Sequence, residues 1–196
     1  MKKATVTLTS ASPYSQSRLY AAEIPKLEKE SAADYDARNW REHQHYNRKT
    51  GEVYIPPMAL KNALMECAQY LGEKIPGKGN ATWTKHFTAG ILVTDQIGLG
   101  IDKDQTEGET FMCHADGKRN SGTRVPRKFP VIHEWEAQAT FYILDETITQ
   151  DVFTRYLEEA GKFIGIGRFR PEKGGMNGRF SVSKFKWSES ELSEAA

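Results

Sequence analysis

Two stretches of this sequence combine a strand pattern with the apolar period of an amphipathic helix directly after it. In the first, the strand candidate Glu52–Ile55 runs into Pro56-Pro57, and proline is well tolerated in the first turn of a helix. The following apolar residues recur three and four positions apart, as on one buried helix face: Leu60, Ala63, Leu64, Cys67, Ala68 and Leu71. This pattern predicts a helix that ends near Gly72.

The second stretch lies in the C-terminal third of the chain. Apolar and polar residues alternate from Trp135 to Ile143, which indicates a half-buried strand. A second helical stripe follows this strand: Phe153, Tyr156, Leu157, Ala160 and Ile164. A last strand candidate runs from about Arg179 to Trp187. Its pattern changes face near Ser183, which predicts a β-bulge.

The order of these elements predicts the fold class. With a first strand at Ala4–Ser10, the chain reads strand, helix, strands, insertion, strand, helix, strand. This order predicts a ferredoxin-like (RRM-like) α+β fold, an antiparallel sheet with two helices on one face, and 196 residues suit one domain. We expect a single domain over residues 1–187. It would carry inserted loops or ribbons at about 31–51 and 102–130, neither with a clear period, and end in a disordered acidic tail at 188–196.

The net charge of +1 conceals a strong segregation of charge along the chain. Five basic residues and no acidic residue lie between Lys118 and Lys128. Between Lys162 and Trp187 there are seven basic residues and one acidic residue, which leaves a net charge of +6. A near-neutral protein with such segments can present a basic face to a polyanion.

Several other classes of protein find no support in the residues. No apolar run approaches the ~20 residues of a membrane span. The two cysteines, Cys67 and Cys113, form no CxxC pair, which excludes a zinc ribbon and argues against a disulfide framework. The sequence shows no nucleophile–base motif and no dinucleotide fingerprint. We therefore expect a cytoplasmic protein with no membrane partner, no metal, no cofactor and no catalytic residue.

The strongest local signal is the glycine-rich segment Gly165–Phe180. Glycine allows a backbone to approach a ligand closely, here at Gly174 and Gly175, and successive amides in such loops can form an anion-binding concavity. Four cations would add charge-assisted contacts to phosphates: Arg168, Arg170, Lys173 and Arg179. Chemistry alone leaves open a plain hairpin with solvated arginines.

This G-x-G-R-x-R segment, which closes with G-x-x-G-R-F before the last strand, resembles the glycine-rich loop of the RAMP superfamily. That superfamily comprises the RNA-binding subunits of CRISPR effector complexes. The strand–proline–helix entry Tyr54–Leu64, with its Leu60-Lys61 pair, and the segment Arg127–Val131 are similar to sections of those proteins. The resemblance covers about half of the chain. It implies a ferredoxin-like RNA-binding fold and a role as an effector backbone subunit or as a solitary, phage-encoded relative.

Further contacts are expected around the glycine-rich segment. Contacts to the phosphate backbone would come from residues after the first strand and at the helix entry: Tyr14, Gln16, Arg18 and Lys61. In the 31–51 insertion, cations alternate with aromatic residues, as base stacking and phosphate neutralisation require: Arg38, Trp40, Arg41 and Tyr46. Phe169 would add stacking. The basic segment before residue 130 would extend the groove: Arg124, Arg127 and Lys128.

The resulting hypothesis is a protein that binds single-stranded RNA or DNA and associates along the strand with copies of itself or with other effector subunits. One alternative is a metal-independent RAMP-type endoribonuclease, with His43 or His45 in acid–base roles. Another is a mimic of a backbone subunit that caps or inhibits a CRISPR effector complex. RNA and DNA stay open because recognition of the 2′-hydroxyl has no linear signature.

Overall fold

The computed structural model describes residues 1–20, 23–115 and 122–190. Its strands, in chain order, are β1 Lys2–Ser10, β2 Tyr14–Ser15, β3 Glu52–Ile55, β4 Ile91–Leu92, β5 Ile97–Asp102, β6 Glu107–His114, β7 Arg124–Ile132, β8 Glu136–Ile143 and β9 Phe180–Glu189. Its α-helices are α1 Ala32–Asn39, α2 Pro57–Leu71, α3 Thr84–Ala89 and α4 Gln150–Glu159. A π-helical turn, Ala160–Ile164, prolongs α4.

The central element is a four-stranded antiparallel sheet in the order β4-β8-β1-β9. Along β1, Ala4, Val6 and Leu8 are buried while the alternate residues are partly exposed. These side chains share one hydrophobic core with the buried faces of α2 and α4, such as Leu64 and Phe153. The helices therefore cover one face of the sheet, and the ferredoxin-like α+β prediction is confirmed.

The bulge predicted in the last strand is confirmed as well. Thr7 of β1 lies opposite Lys184, whereas the next residue, Leu8, lies opposite Val182. Ser183 is therefore the extra residue, and its hydroxyl donates to the Thr7 carbonyl at 3.2 Å. A bulge of this kind bends and twists an edge strand, which discourages pairing with another chain.

The segment 102–130, where an inserted loop or ribbon was expected, contains the paired strands β6 and β7, which we call the β6–β7 hairpin. Strands β6 and β7 pair in continuous antiparallel register from Glu107 opposite Val131 to His114 opposite Arg124. Short strand β2 adds to β7 and makes a second, three-stranded sheet. Lys118 and Arg119 of the predicted basic segment lie outside the described residues.

The 31–51 segment differs from the expectation of an irregular loop, because it contains α1 and a 3₁₀ turn, Trp40–His43. Ser31 caps the N-terminus of α1, and its hydroxyl accepts a hydrogen bond from the Asp34 amide at 3.1 Å. Of the α1 residues, Asn39 alone is buried. Because α1 has no apolar stripe, its sequence has no helical period that would predict it. Its N-terminal cap and its contacts with β7 stabilise it instead.

The prediction of a disordered tail from residue 188 is wrong for its first two residues. Ser188 and Glu189 belong to β9, where they pair with Lys3 and Lys2 of β1. Lys2 also forms an ion pair with Glu189. Main-chain pairing with a central strand therefore orders this stretch despite its polar composition, and residues 191–196 lie outside the described part of the chain. Within the described ranges, no helix is both long and apolar enough to cross a membrane.

Candidate nucleic-acid interface

An open groove of about 690 Å³ lies where the β6–β7 hairpin meets the glycine-rich loop. We call it the basic groove. Among the described residues, its lining holds four cations and a histidine but no carboxylate: Ser17, Met112, Cys113, His114, Arg124, Arg127, Phe129, Arg168, Phe169 and Lys173. Two basic segments that are separate in sequence, 118–128 and 162–187, therefore contribute to one surface.

Aromatic packing holds the hairpin against the loop. The ring centroids of Phe111 in β6 and Phe169 in the loop are 4.8 Å apart. The guanidinium carbon of Arg168 lies 3.6 Å from the Phe129 ring centroid and 4.6 Å from that of Phe169. The Arg168 amide donates to the Ser15 carbonyl at 2.7 Å, so the loop is also tied to β2.

Arg168 is the central cation of the groove. Its guanidinium donates to the Ser17 hydroxyl at 3.2 Å and to the Cys113 sulfur at 3.4 Å. Its Nε is buried without a hydrogen-bond partner, and no described carboxylate pairs with it. Burial lowers the pKa of Arg168, but an arginine stays charged at neutral pH. The side chain is thus a partly buried cation whose charge no described carboxylate neutralises, which suits it to an anion.

The other groove cations differ in how far they are neutralised. Arg124 is exposed and pairs with no carboxylate in the described ranges. Arg127 lies 3.6 Å from Asp36 of α1. Lys173 lies 2.7 Å from Glu172 on the exposed surface, where such a pair is weak and readily exchanged. Neither of these carboxylates is among the described residues that line the groove.

The amides of Gly174 and Gly175 are used inside the glycine-rich loop rather than presented to a ligand. Gly174 donates to the Pro171 carbonyl at 2.8 Å, and Gly175 donates to the Arg170 carbonyl at 3.0 Å. A Cβ at Gly175 would lie 1.8 Å from the Phe169 carbonyl oxygen. The glycines therefore let this backbone fold tightly on itself, and contacts to an anion fall to the side chains.

Phe169 adopts a strained conformation in this loop. Its φ is +56°, in the left-handed region that costs a non-glycine residue about 1–2 kcal/mol. Its carbonyl accepts from the Asn177 amide at 3.0 Å. The compact loop thus holds the Phe169 ring between Phe111 and Arg168.

Two cations predicted in the glycine-rich segment and one predicted in α2 lie outside the lining of the groove. Arg170 contacts Glu66 of α2 at 2.9 Å and Glu172 at 3.3 Å, so its charge is already paired. Arg179 donates to the Lys162 and Met176 carbonyls and is partly exposed. Lys61 of α2 is partly exposed and forms no ion pair with a described residue.

The residues predicted after the first strand have structural partners. Tyr14 is buried, its hydroxyl accepts from Gln16 Nε2 at 3.1 Å, and burial raises the pKa of Tyr14. Gln16 also donates to the Tyr54 carbonyl at 2.8 Å. Arg18 pairs with Glu23 at 2.9 Å. Gln16 and Tyr14 thus join β2 to β3 beneath the surface.

The predicted stacking residues of the 31–51 segment are also held within the protein. Trp40 is 7% exposed, with the Arg41 guanidinium 4.2 Å and the Lys128 ammonium 4.6 Å from its ring centroid. The Tyr46 hydroxyl donates to Glu42 at 2.8 Å, and the Arg18 guanidinium and the Lys103 ammonium lie 5.8 and 5.4 Å from the Tyr46 ring centroid. Both rings therefore already contact cations of the protein.

Arg38 likewise has a protein partner. It pairs with Glu30 at 2.8 Å. The hydrogen bond from Arg38 is the main cause that lowers the pKa of Glu30 to about 2. Arg38 therefore closes the segment before α1 onto the helix, and its charge is matched without a ligand.

The two candidate catalytic histidines occupy different surroundings. His43 packs between Tyr20 and Phe129, with centroid distances of 4.8 and 4.7 Å, and its Nδ1 lies 3.2 Å from the Arg18 carbonyl. His45 faces a smaller cavity beside the groove. Burial lowers the pKa of both imidazoles. In the described ranges, no group of three His, Cys, Asp or Glu side chains is placed to hold a metal ion.

Sequence reasoning missed the residue that links the groove together, Phe129. It is 2% exposed and contacts both His43 and Arg168. Its partners come from the 3₁₀ turn and from the glycine-rich loop, so no local pattern identifies it. Met112 and Cys113 of β6 were missed as well, although their position on a strand beside a basic segment was a usable signal.

Comparison with known proteins supports the fold. No protein-family model matches this sequence, and no curated protein matches it. A chain of the type III-B Cmr-beta, solved by cryo-EM bound to cognate target RNA, is similar over 95% of this chain, with a TM-score of 0.57 and 13% identity. Cmr6 from Pyrococcus furiosus is similar over 93% of this chain and 99% of its own, with a TM-score of 0.49 and 13% identity.

The fold of this chain is therefore similar to that of the Cmr-beta chain, as the glycine-rich loop and the strand–proline–helix entry predict. The chain spans 60% of the length of the Cmr-beta subunit that it matches. At 13% identity the likeness concerns the fold alone.

Proposed function

We propose that this chain binds single-stranded nucleic acid in the basic groove, does not cut it, and assembles along the strand with copies of itself or with other effector subunits. The proposal rests on the unpaired charge of Arg168. This side chain is a partly buried guanidinium, stacked on Phe129 and Phe169, with no carboxylate partner among the described residues. Burying an unpaired cation is costly, and an anionic ligand would offset that cost.

The arrangement suits a polyanion better than a small acid. Arg124, Arg127, Arg168 and Lys173 are spread over strand β7 and the glycine-rich loop around an open groove. A chain of phosphates can meet such cations in turn, and each contact releases a counterion. The rings of Phe129 and Phe169 are engaged with Arg168, so we assign the groove to the sugar–phosphate backbone and expect little base preference from it.

The comparison adds support for RNA as the strand. The similar Cmr-beta chain was solved in a complex bound to cognate target RNA. The basic groove of this chain would serve an equivalent ligand. The β6–β7 hairpin, which forms one wall, would at the same time be the part able to reach a neighbouring copy.

A binding experiment tests the proposal. Fluorescence anisotropy would follow a labelled mixed-sequence strand, as RNA and as DNA, titrated with wild type and with Arg168→Ala over a range of salt concentrations. We expect wild type to bind with an affinity that falls steeply with salt, and Arg168→Ala to bind more weakly. Arg155→Ala is the matched control, because Arg155 is a cation of α4 paired with Glu73 and does not line the groove. Equal affinity of wild type and Arg168→Ala would refute the role of the groove.

Native mass spectrometry on long strands tests assembly. Complexes whose stoichiometry rises with strand length would support association along the strand, since a head-to-tail interface repeats. A single copy on every strand would contradict it and favour the capping mimic.

A further inference from the structure

A second, smaller cavity adjoins the basic groove. It has a volume of about 290 Å³, and Ser17 and Arg168 line both cavities. We call it the side pocket. Its size is at the lower end of the range for small-molecule pockets, which suits a planar ring system of one or two rings.

The walls of the side pocket combine apolar surface with polar groups. Pro56 and Ala59, at the start of α2, and the ring of Tyr14 give the apolar surface. Ser17 and His45 add a hydroxyl and an imidazole. Apolar walls with a few convergent polar groups are what a site for a heteroaromatic ligand requires.

The polar groups have spare hydrogen-bonding capacity. No described residue hydrogen-bonds to the ring nitrogens of His45, whose backbone amide is held by Gln16. Burial lowers the pKa of His45, so at neutral pH the imidazole is neutral and offers one donor and one acceptor. The Ser17 hydroxyl accepts from Arg168 at 3.2 Å and can still donate.

The backbone of Gly167 creates the junction between the two cavities. A Cβ at Gly167 would lie 2.3 Å from the Ser15 carbonyl oxygen and 2.5 Å from the Tyr14 ring. Its φ of +76° is also in the region that favours glycine. Glycine therefore lets the loop press against β2, and the next residue, Arg168, stands between the cavities.

We propose that the side pocket takes one unstacked base of the strand whose phosphates lie in the basic groove, and that His45 and Ser17 read the edge of that base. This inference rests on the proposed function and deepens it. Bases of single strands are commonly recognised when they are splayed out of the stack, packed against side chains and hydrogen-bonded along one edge. A phosphate at Arg168 would place the neighbouring base at the mouth of the pocket.

The proposal predicts a base preference that the groove alone would not give. Affinities for oligo(A), oligo(C) and oligo(U) of equal length would be measured for wild type, Ala59→Leu and His45→Leu. We expect wild type to prefer one base by about tenfold. Ala59→Leu fills the pocket, and His45→Leu removes its imidazole. Both should cut the preference to about twofold or less.

Controls separate this inference from the proposed function. Met58→Leu changes an exposed side chain on the same helical turn, outside the pocket, and should keep the wild-type preference. Circular dichroism melts would confirm that each variant folds. Equal wild-type affinity for all three strands, or a preference that survives both pocket variants, would overturn the side-pocket inference alone.

Absence of binding to any strand would overturn the proposed function and this inference together. The side pocket could also take the base of a free nucleotide instead of a base of a strand. Titrations with adenosine, cytidine and uridine monophosphates test this alternative. Binding of a monophosphate without binding of any strand would overturn the assignment to a strand base.

Discussion

The guanidinium carbon of Arg168 lies 3.6 Å from the centroid of the Phe129 ring. This contact places a cation of the glycine-rich loop on an aromatic ring of β7, and a partly desolvated cation–π pair can contribute about 2 kcal/mol. Phe129 also packs on His43 at 4.7 Å. The stack therefore joins three segments that are far apart in sequence, and the shape of the basic groove depends on it.

We expect Arg168→Ala to weaken binding of all single strands by about tenfold or more, since a hydrogen bond to a charged group contributes about 1.5–3 kcal/mol. The loss should be the same for every sequence, because phosphate contacts carry no base information. The slope of log K against log salt should fall by ~0.7 for the lost phosphate contact. Anisotropy titrations measure both quantities, and an unchanged slope would contradict a phosphate contact at this residue.

Arg170→Ala should behave differently from Arg168→Ala. Arg170 is ion-paired with Glu66 and Glu172 and does not line the groove, so its loss should leave the salt slope unchanged. Removal leaves the partly buried Glu66 without its partner, which should lower the melting temperature. Measured side by side, a loss of slope in Arg170→Ala equal to that in Arg168→Ala would show that the ion pairs open for the ligand.

Gly175→Ala tests the close packing of the glycine-rich loop. A Cβ at Gly175 would lie 1.8 Å from the Phe169 carbonyl oxygen, so the loop must shift, at a cost of about 1–3 kcal/mol. For a chain of this size each kcal/mol lowers the melting temperature by about 2–4 °C. Gly122→Ala is the matched control because nothing lies within 4 Å of its Cβ. Equal melting temperatures of the two variants would contradict the packing.

Stability should fall as the pH drops below about 6.5. Burial lowers the pKa of His43 below its ordinary value of 6.5, so the folded protein keeps this imidazole neutral while the unfolded chain takes up a proton. The unfolded state then binds more protons, and the free energy of unfolding decreases with acidity. Urea unfolding at several pH values would measure this slope. It should be smaller in His43→Gln, and an identical slope would remove His43 as a cause.

We expect no cleavage of single-stranded or hairpin RNA, with EDTA or with Mg²⁺. His43 is enclosed by Tyr20 and Phe129, and His45 faces the side pocket, so we expect that the two imidazoles do not act on one atom as an acid–base pair. An efficient general base contributes about 10²–10⁴ in rate, which a gel assay would detect. Site-specific cleavage that disappears in His45→Ala would instead establish the endoribonuclease.

The outcome at particular elements shows what sequence patterns can predict. The stripe from Leu60 to Leu71 and the alternation in β8 report burial through local spacing, and both elements are present. The bulge at Ser183 was visible in the sequence, because the alternation of apolar and polar residues changes face there. Helix α1 has no apolar period in the sequence, because its one buried residue is polar. It is held instead by the Ser31 cap and by contacts with β7.

The sequence by itself determined the two amphipathic helices, the ferredoxin-like order of elements and the glycine-rich basic loop, since each depends on neighbours within a few residues. The tertiary structure decided which cations are free. Arg170 pairs with Glu66, which lies 104 residues away in the sequence, whereas Arg168 contacts Phe129 and no described carboxylate. Charge pairing and cavities arise between segments distant in sequence, and only the packing of the hairpin on the loop brings these segments together.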